Sequence, residues 1–220
     1  MKRFTAAIAA LTLSIFIVSF SVVAVLNFRP AYYLQIPKIA AENPKYTEET
    51  IRNNYDILID YQSPLGPDKL VLEGIPMSDS GEFHFYEVKL IFTKVFWAMA
   101  ISFLISTAFF IGFMRKRDLR YMRWSGLLTV LIPFTLAIPF ILDFSTAFVV
   151  FHELAFSNDF WLFDPAVDPI INILPEWFFM QEAFLIIGLI LILAVIQLAI
   201  GFRKGKDDSI SYDPRNYMLK

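Results

Sequence analysis

Long apolar runs alternate with polar, charged stretches along the 220 residues of this chain. Four runs are long enough to cross a bilayer: about Phe4 to Phe28, Ile91 to Met114, Trp124 to Leu142 and Ala183 to Phe202. A hydrocarbon core of roughly 30 Å needs about 20 helical residues. Backbone amides in lipid must be satisfied within their own segment, so each run is read as a helix. The pattern predicts an all-α integral membrane protein, a single membrane domain over residues 1–220 with four transmembrane helices. The first run has a rival reading as a cleavable signal peptide behind Lys2 and Arg3. It is about twice the length of a usual signal-peptide apolar region and no small-residue cleavage site follows, so an uncleaved helix is preferred.

Between the runs lie two segments, residues 29–90 and 143–182. In the first, Thr47 opens a helix whose residues Ile51, Tyr55, Leu58 and Ile59 recur at helical spacing. Pro64, Gly66 and Pro67 end it. A strand-like piece, Lys69 to Ile75, follows, and Ser78-Asp79-Ser80-Gly81 reads as a polar turn. The second segment is crowded with aromatics, among them Phe144, Phe148, Phe151, Phe156, Phe160, Trp161 and Phe163, and is broken by Pro165, Pro169 and Pro175. It reads as helical fragments at the membrane interface, where aromatic rings favour the headgroup level. Pro133 and Pro139 predict a kink in the third spanning helix, with room for a cavity beside it.

Charge orients the helices. Lys2 and Arg3 precede the first span. Arg115, Lys116, Arg117, Arg120 and Arg123 fill the short connection between the second and third spans, and Arg203, Lys204 and Lys206 follow the fourth. Residues 143–182 hold no Lys or Arg, only acids such as Asp143, Glu153 and Asp164. Lys and Arg accumulate on the cytoplasmic side, so both termini are expected there. The two acidic or mixed segments then form an extracytoplasmic lid. Hydrophobic residues make up 57% of the chain, more than a soluble domain of this length can readily bury.

The composition also limits the chemistry. There is no cysteine, which excludes disulfides, thiolate metal sites and thiol nucleophiles. No phosphate loop, dinucleotide fingerprint or nucleophile elbow occurs. The basic cluster is a topology signal and not a nucleic-acid surface. Two histidines remain, His84 before the second span and His152 in the aromatic segment. Both fall on the outer side, which suggests that they meet, and histidine takes and returns protons near neutral pH. The plain alternative is two interfacial histidines bonded to carbonyls. His152-Glu153 begins a zinc-protease motif, but Phe156 stands where its second histidine belongs. Two histidines with Glu87 or Asp168 fall short of the patterned three or four ligands that zinc takes. No cofactor or metal is therefore expected.

Around these histidines the sequence resembles the lipoprotein intramolecular transacylases (Lit) of low-GC Gram-positive bacteria. The resemblance rests on His84-Phe85-x-Glu87-Val88-Lys89, and on His152, Phe156, Trp161, Pro165, Asp168, Ile170, Ile171, Pro175, Phe178 and Phe179 at their spacing. It implies transfer of the sn-2 acyl chain of a diacylglyceryl group to the α-amine of a lipoprotein's N-terminal cysteine. The product is a lyso-form lipoprotein. The implied partners are a diacylated bacterial lipoprotein and membrane lipid, in the cell membrane. Ester to amide runs downhill, which agrees with the lack of a nucleotide motif. Donor and acceptor share one molecule, so positioning supplies much of the rate. His84 is expected as base toward the amine and His152 as its partner and acid, an assignment that can be exchanged. Tyr86 and Lys89 are candidates for stabilising the oxyanion, and Glu87, Asn158 and Asp168 for orienting the histidines. Two other classes stay open: a non-enzymatic membrane sensor or assembly protein, and a hydrolase or acyltransferase acting on another lipid.

Overall fold

The computed structural model describes residues 3–115 and 118–202. Lys2, Lys116, Arg117, Arg203, Lys204 and Lys206, which entered the topology reading, lie outside the described residues. In chain order the helices are α1 (Arg3–Leu26), α2 (Pro30–Tyr33), α3 (Ile36–Glu42), α4 (Glu48–Gln62) and α5 (Asp79–Arg115). There follow α6 (Tyr121–Leu142), α7 (Phe144–Ala155), α8 (Ile170–Ile173) and α9 (Glu176–Phe202). Among the described residues there is no strand.

Of these, α1, α5 and α9 are long and apolar enough to cross a membrane by length and composition. The predicted third span coincides with α6, which continues as one helix through Pro133 and Pro139. The expected kink thus leaves its helical assignment unbroken. α1 packs against α5, α6 and α9, and α6 runs along α9. Small residues make this close packing possible, as is usual between helices in lipid. Ala9, Ala10, Ser14, Ser19 and Ser21 are the buried positions of α1, with Ile17 and Val25. A buried polar chain crosses three helices: Ser14 Oγ reaches the Ser125 carbonyl at 3.0 Å, and Gln197 Nε2 donates to Ser125 Oγ at 2.9 Å. At Gly126 a methyl group would come within 2.7 Å of Leu198, so glycine lets α6 and α9 approach.

The two segments between the spans fold together into one cap. Its core joins Tyr32, Ile36, Ile39, Tyr55 and Ile59 from the first segment to Ile170, Ile173 and Phe178 from the second. Tyr32 stacks on Tyr55 at 3.7 Å, and Phe178 meets both rings edge-on. Tyr32 is fully buried and its hydroxyl donates to the Ile173 carbonyl at 2.7 Å, which satisfies the polar end of an otherwise apolar ring. Helix α4 begins as predicted. Thr47 is its N-cap and accepts from the Thr50 amide at 3.1 Å, with Glu48 and Glu49 in the first turn.

Two local expectations are corrected. Lys69 to Ile75 has no strand partner and is irregular. The side chain of Asn54 takes the place of a neighbouring strand: it donates to the Glu73 carbonyl at 2.9 Å and accepts from the Glu73 amide at 2.7 Å. The second long helix starts at Asp79, well before residue 91, so Ser78 to Gly81 are its cap and first turn. Its 37 residues extend about 55 Å. That exceeds a hydrocarbon core of roughly 30 Å, and the polar turns before residue 91 form the overhang that enters the cap.

Candidate active site

The overhang of α5 carries His84. Ser78 caps it, with Ser78 Oγ accepting from the Gly81 amide at 3.0 Å. The cap is itself held by Asp168, whose carboxylate accepts from the Ser78 amide at 2.6 Å and from Ser78 Oγ at 2.7 Å. Asp168 is buried beside Gly81, where an added methyl group would lie 2.6 Å from its Oδ1. A turn of α5 beyond this clamp, Phe85 enters the cap core and His84 is buried next to it.

His152 stands in the last turn of α7. Asp143 starts that helix, accepting from the Thr146 amide at 3.1 Å and from Thr146 Oγ1 at 2.7 Å. Beyond α7 the chain stays close to α5, because Asn158 Nδ2 donates to both carboxylate oxygens of Glu87 at 3.0 and 3.1 Å. The result brings the two imidazoles together: their ring centroids are 6.0 Å apart and the planes tilt by 36°. Phe156 and Phe163 meet His84 edge-on at 4.8 and 5.5 Å. Phe148 and Trp161 lie over His152 at 4.1 and 4.8 Å.

Hydrogen bonding distinguishes the two rings. His152 Nδ1 is 2.7 Å from the Phe148 carbonyl oxygen. A carbonyl only accepts, so Nδ1 carries the proton and the lone pair of a neutral His152 sits on Nε2. His84 Nδ1 is buried with no partner. His84 lies in the overhang, outside the spanning part of α5. Burial, with a smaller contribution from His152, pushes its pKa down to about 4. Burial also lowers the pKa of His152, opposed by the bond to Phe148. Both rings are therefore neutral near pH 7, and one offers a free basic nitrogen of known identity.

The other predicted residues fall in different places. Glu87 and Asn158 hydrogen-bond each other, and among the described residues neither hydrogen-bonds an imidazole. They join the two histidine-bearing elements. Asp168 acts further back, on the α5 cap. Tyr86 is exposed, two residues along the helix from His84 and so on nearly the opposite face. It lines a cavity of about 260 Å³ with Tyr61, Asp68 and Glu82. Lys89 donates to the Pro67 carbonyl at 2.6 Å and lies 4.4 Å over the Tyr61 ring. The structure does not bring Tyr86 or Lys89 to the histidines. Sequence reading gave no role to Ser78, although a serine just before a helix is an N-cap signal. The carbonyl of Phe148 carried no signal at all. Among the described residues, no three His, Asp or Glu side chains gather as metal ligands. A larger cavity of about 480 Å³, between Lys38, Trp177 and Phe184, lies on another face of α9 from Phe179, which packs against Phe148.

No curated protein matches the chain. The solved structure of the membrane integral lipoprotein intramolecular transacylase Lit from Bacillus cereus is 33% identical and superposes with a TM-score of 0.84. That match covers 90% of this chain and 93% of the other. Two forms of the same Bacillus cereus enzyme, with a histidine mutated to arginine or to alanine, are 32% identical, each with a TM-score of 0.81. They cover 90% of this chain and 89% and 91% of theirs. The family model for the lipoprotein intramolecular transacylase Lit matches residues 7–179. This chain, a multi-pass membrane protein built of helices, belongs to the lipoprotein intramolecular transacylase Lit family.

Proposed function

We propose that this protein moves the sn-2 acyl chain of a diacylglyceryl lipoprotein to the α-amine of its N-terminal cysteine, leaving the lyso form. The observation that carries the reading is the pair of imidazoles 6.0 Å apart within an aromatic pocket. In this reading α1, α5, α6 and α9 are four transmembrane helices, both termini are cytoplasmic, and the cap faces the outside of the cell membrane. The scissile ester then meets the histidines where the cap joins the bundle.

The amine of the substrate has a reference pKa of about 7.7–8.0 and attacks only when a lone pair is free. Its nitrogen forms a bond to the ester carbonyl carbon and gives its proton to a histidine. The tetrahedral intermediate collapses by breaking the bond to the glycerol oxygen. That oxygen leaves with a proton, so one imidazole can take the proton and return it. The Nδ1–H bond to Phe148 supports His152 as that base, through Nε2. This exchanges the roles expected from sequence. His84, neutral and with an unpartnered Nδ1, is the partner that hydrogen-bonds the reacting groups. No protein nucleophile is required, because donor and acceptor are held in one molecule. Glu87, Asn158 and Asp168 hold the elements in position.

The test replaces His84 or His152 with Ala and follows a reporter lipoprotein by mass spectrometry. Lyso-form product should fall by about 10²- to 10⁴-fold in each variant. Undiminished product from both would exclude a histidine mechanism. Release of free fatty acid without N-acylated product would indicate a hydrolase instead.

A further inference from the structure

The histidine pocket contains a second buried polar atom with no partner, Nε1 of Trp161. An N–H is a strong, obligatory donor, and leaving one unpaired in an apolar site is unfavourable. Such an atom beside a reacting centre points to an acceptor that arrives with the substrate. The indole lies 4.8 Å from the His152 ring, with the planes inclined by 31°. Its backbone is well fixed. Asn158 Oδ1 accepts from the Phe160 amide at 3.0 Å while its Nδ2 holds Glu87, and the Phe163 amide donates to the Trp161 carbonyl at 3.1 Å. The ring is thus presented from a loop tied to the same helix that carries His84.

Ester aminolysis requires a donor for the carbonyl oxygen. As the amine adds to the carbonyl carbon, the C=O π electrons move onto oxygen and form an anion. When the C=O bond re-forms, the bond to the glycerol oxygen breaks and the proton taken from nitrogen goes to that oxygen. Lys89 is committed to Pro67 and Tyr61, and Tyr86 faces away from His84. The other rings against the imidazoles include Phe148, Phe156 and Phe163, which offer no hydrogen-bond donor. We propose that the indole N–H of Trp161 is a catalytic hydrogen-bond donor to the sn-2 ester carbonyl oxygen and its tetrahedral oxyanion. The proposal rests on the transacylase reading and adds to it the donor that stabilises the negative charge on the carbonyl oxygen.

The experiment uses the full chain in detergent with a synthetic diacylglyceryl-cysteinyl lipopeptide, separating kcat from KM. Trp161→Phe removes the N–H and keeps an aromatic face. Benzothienylalanine incorporated at position 161 keeps the size and shape of the indole with sulfur in place of N–H. Both should lower kcat by about 10²- to 10³-fold, the usual effect of losing an oxyanion donor. KM and Tm should stay close to those of the unmodified chain. A benzothienylalanine protein with undiminished kcat, or with only KM raised, overturns the proposal and leaves the transacylase reading intact. No N-acylated product from the unmodified chain overturns both.

Discussion

Asn158 donates its side-chain amide to both carboxylate oxygens of Glu87, at 3.0 and 3.1 Å. That contact joins the loop after α7 to the overhang of α5, one histidine lying on each side of it. A hydrogen bond to a charged group contributes about 1.5–3 kcal/mol, and here its effect is expected in the spacing of the imidazoles. Glu87→Ala and Asn158→Ala should each reduce lyso-form product by roughly 10-fold or more, from about 1.4 kcal/mol per decade. In the double variant the losses should not add, because either change alone breaks the same contact. Product yields by mass spectrometry, compared across the four proteins, measure this. Additive losses would show that the two residues act separately.

The start of α5 gives a second expectation. Asp168 holds Ser78 through two hydrogen bonds and is itself buried, so its removal leaves the Ser78 amide without its acceptor. Asp168→Ala should destabilise the protein by about 1–3 kcal/mol, seen as a lower Tm in detergent. Gly81→Ala should do the same by a different route, since the new methyl group would press on the Asp168 carboxylate and on Met77. A Gly81→Ala protein with unchanged Tm would mean that this contact relaxes freely.

The long helices and the Thr47 cap were legible in sequence because each depends on residues near one another in the chain. Hydropathy marks α1 and α9, and a threonine before a run of helical periodicity marks α4. The early start of α5 was hidden because Ser78-Asp79-Ser80-Gly81 has turn composition, and the Asp168 that holds Ser78 in its capping position is distant in sequence. His84 and His152 were visible as candidates. Their shared place on the outer side also suggested that they meet, but not by what means: the Glu87–Asn158 contact and core packing between the two segments of the cap join residues far apart in the chain.

Residues 69–75 illustrate the same limit. They read as a strand-like piece, but the pairing that satisfies Glu73 comes from the buried side chain of Asn54. Asn54→Leu should leave both backbone groups of Glu73 without that partner. Each of these hydrogen bonds contributes about 0.5–1.5 kcal/mol. The expected result is a marked drop in Tm and protease cleavage within 69–75, with the bundle helices still protected. Full stability in this variant would show that Glu73 is satisfied by water.

The pH dependence follows from burial of both imidazoles. Burial lowers the pKa of His152 below its ordinary value near 6.5, and pushes that of His84 down to about 4. A base must be neutral to accept the amine proton and the amine must be free to attack, so activity should fall on acidification from about 7.7–8.0 as the substrate amine is protonated, and a second loss should follow only below pH 6.5, as His152 protonates. Between the unfolded value near 6.5 and the depressed folded values, the unfolded chain holds more protons than the folded one. The contribution of these buried neutral rings to stability is then fully present above about pH 6.5 and is lost as pH falls toward about 4. His84→Phe keeps an aromatic ring in the same apolar pocket and removes its titration. This variant should lose product yet show a Tm that depends less on pH between about 6.5 and 4 than the unmodified protein. Thermal unfolding across that pH range measures the difference, and parallel curves for the two proteins would show that His84 does not enter the folded state as a neutral buried ring.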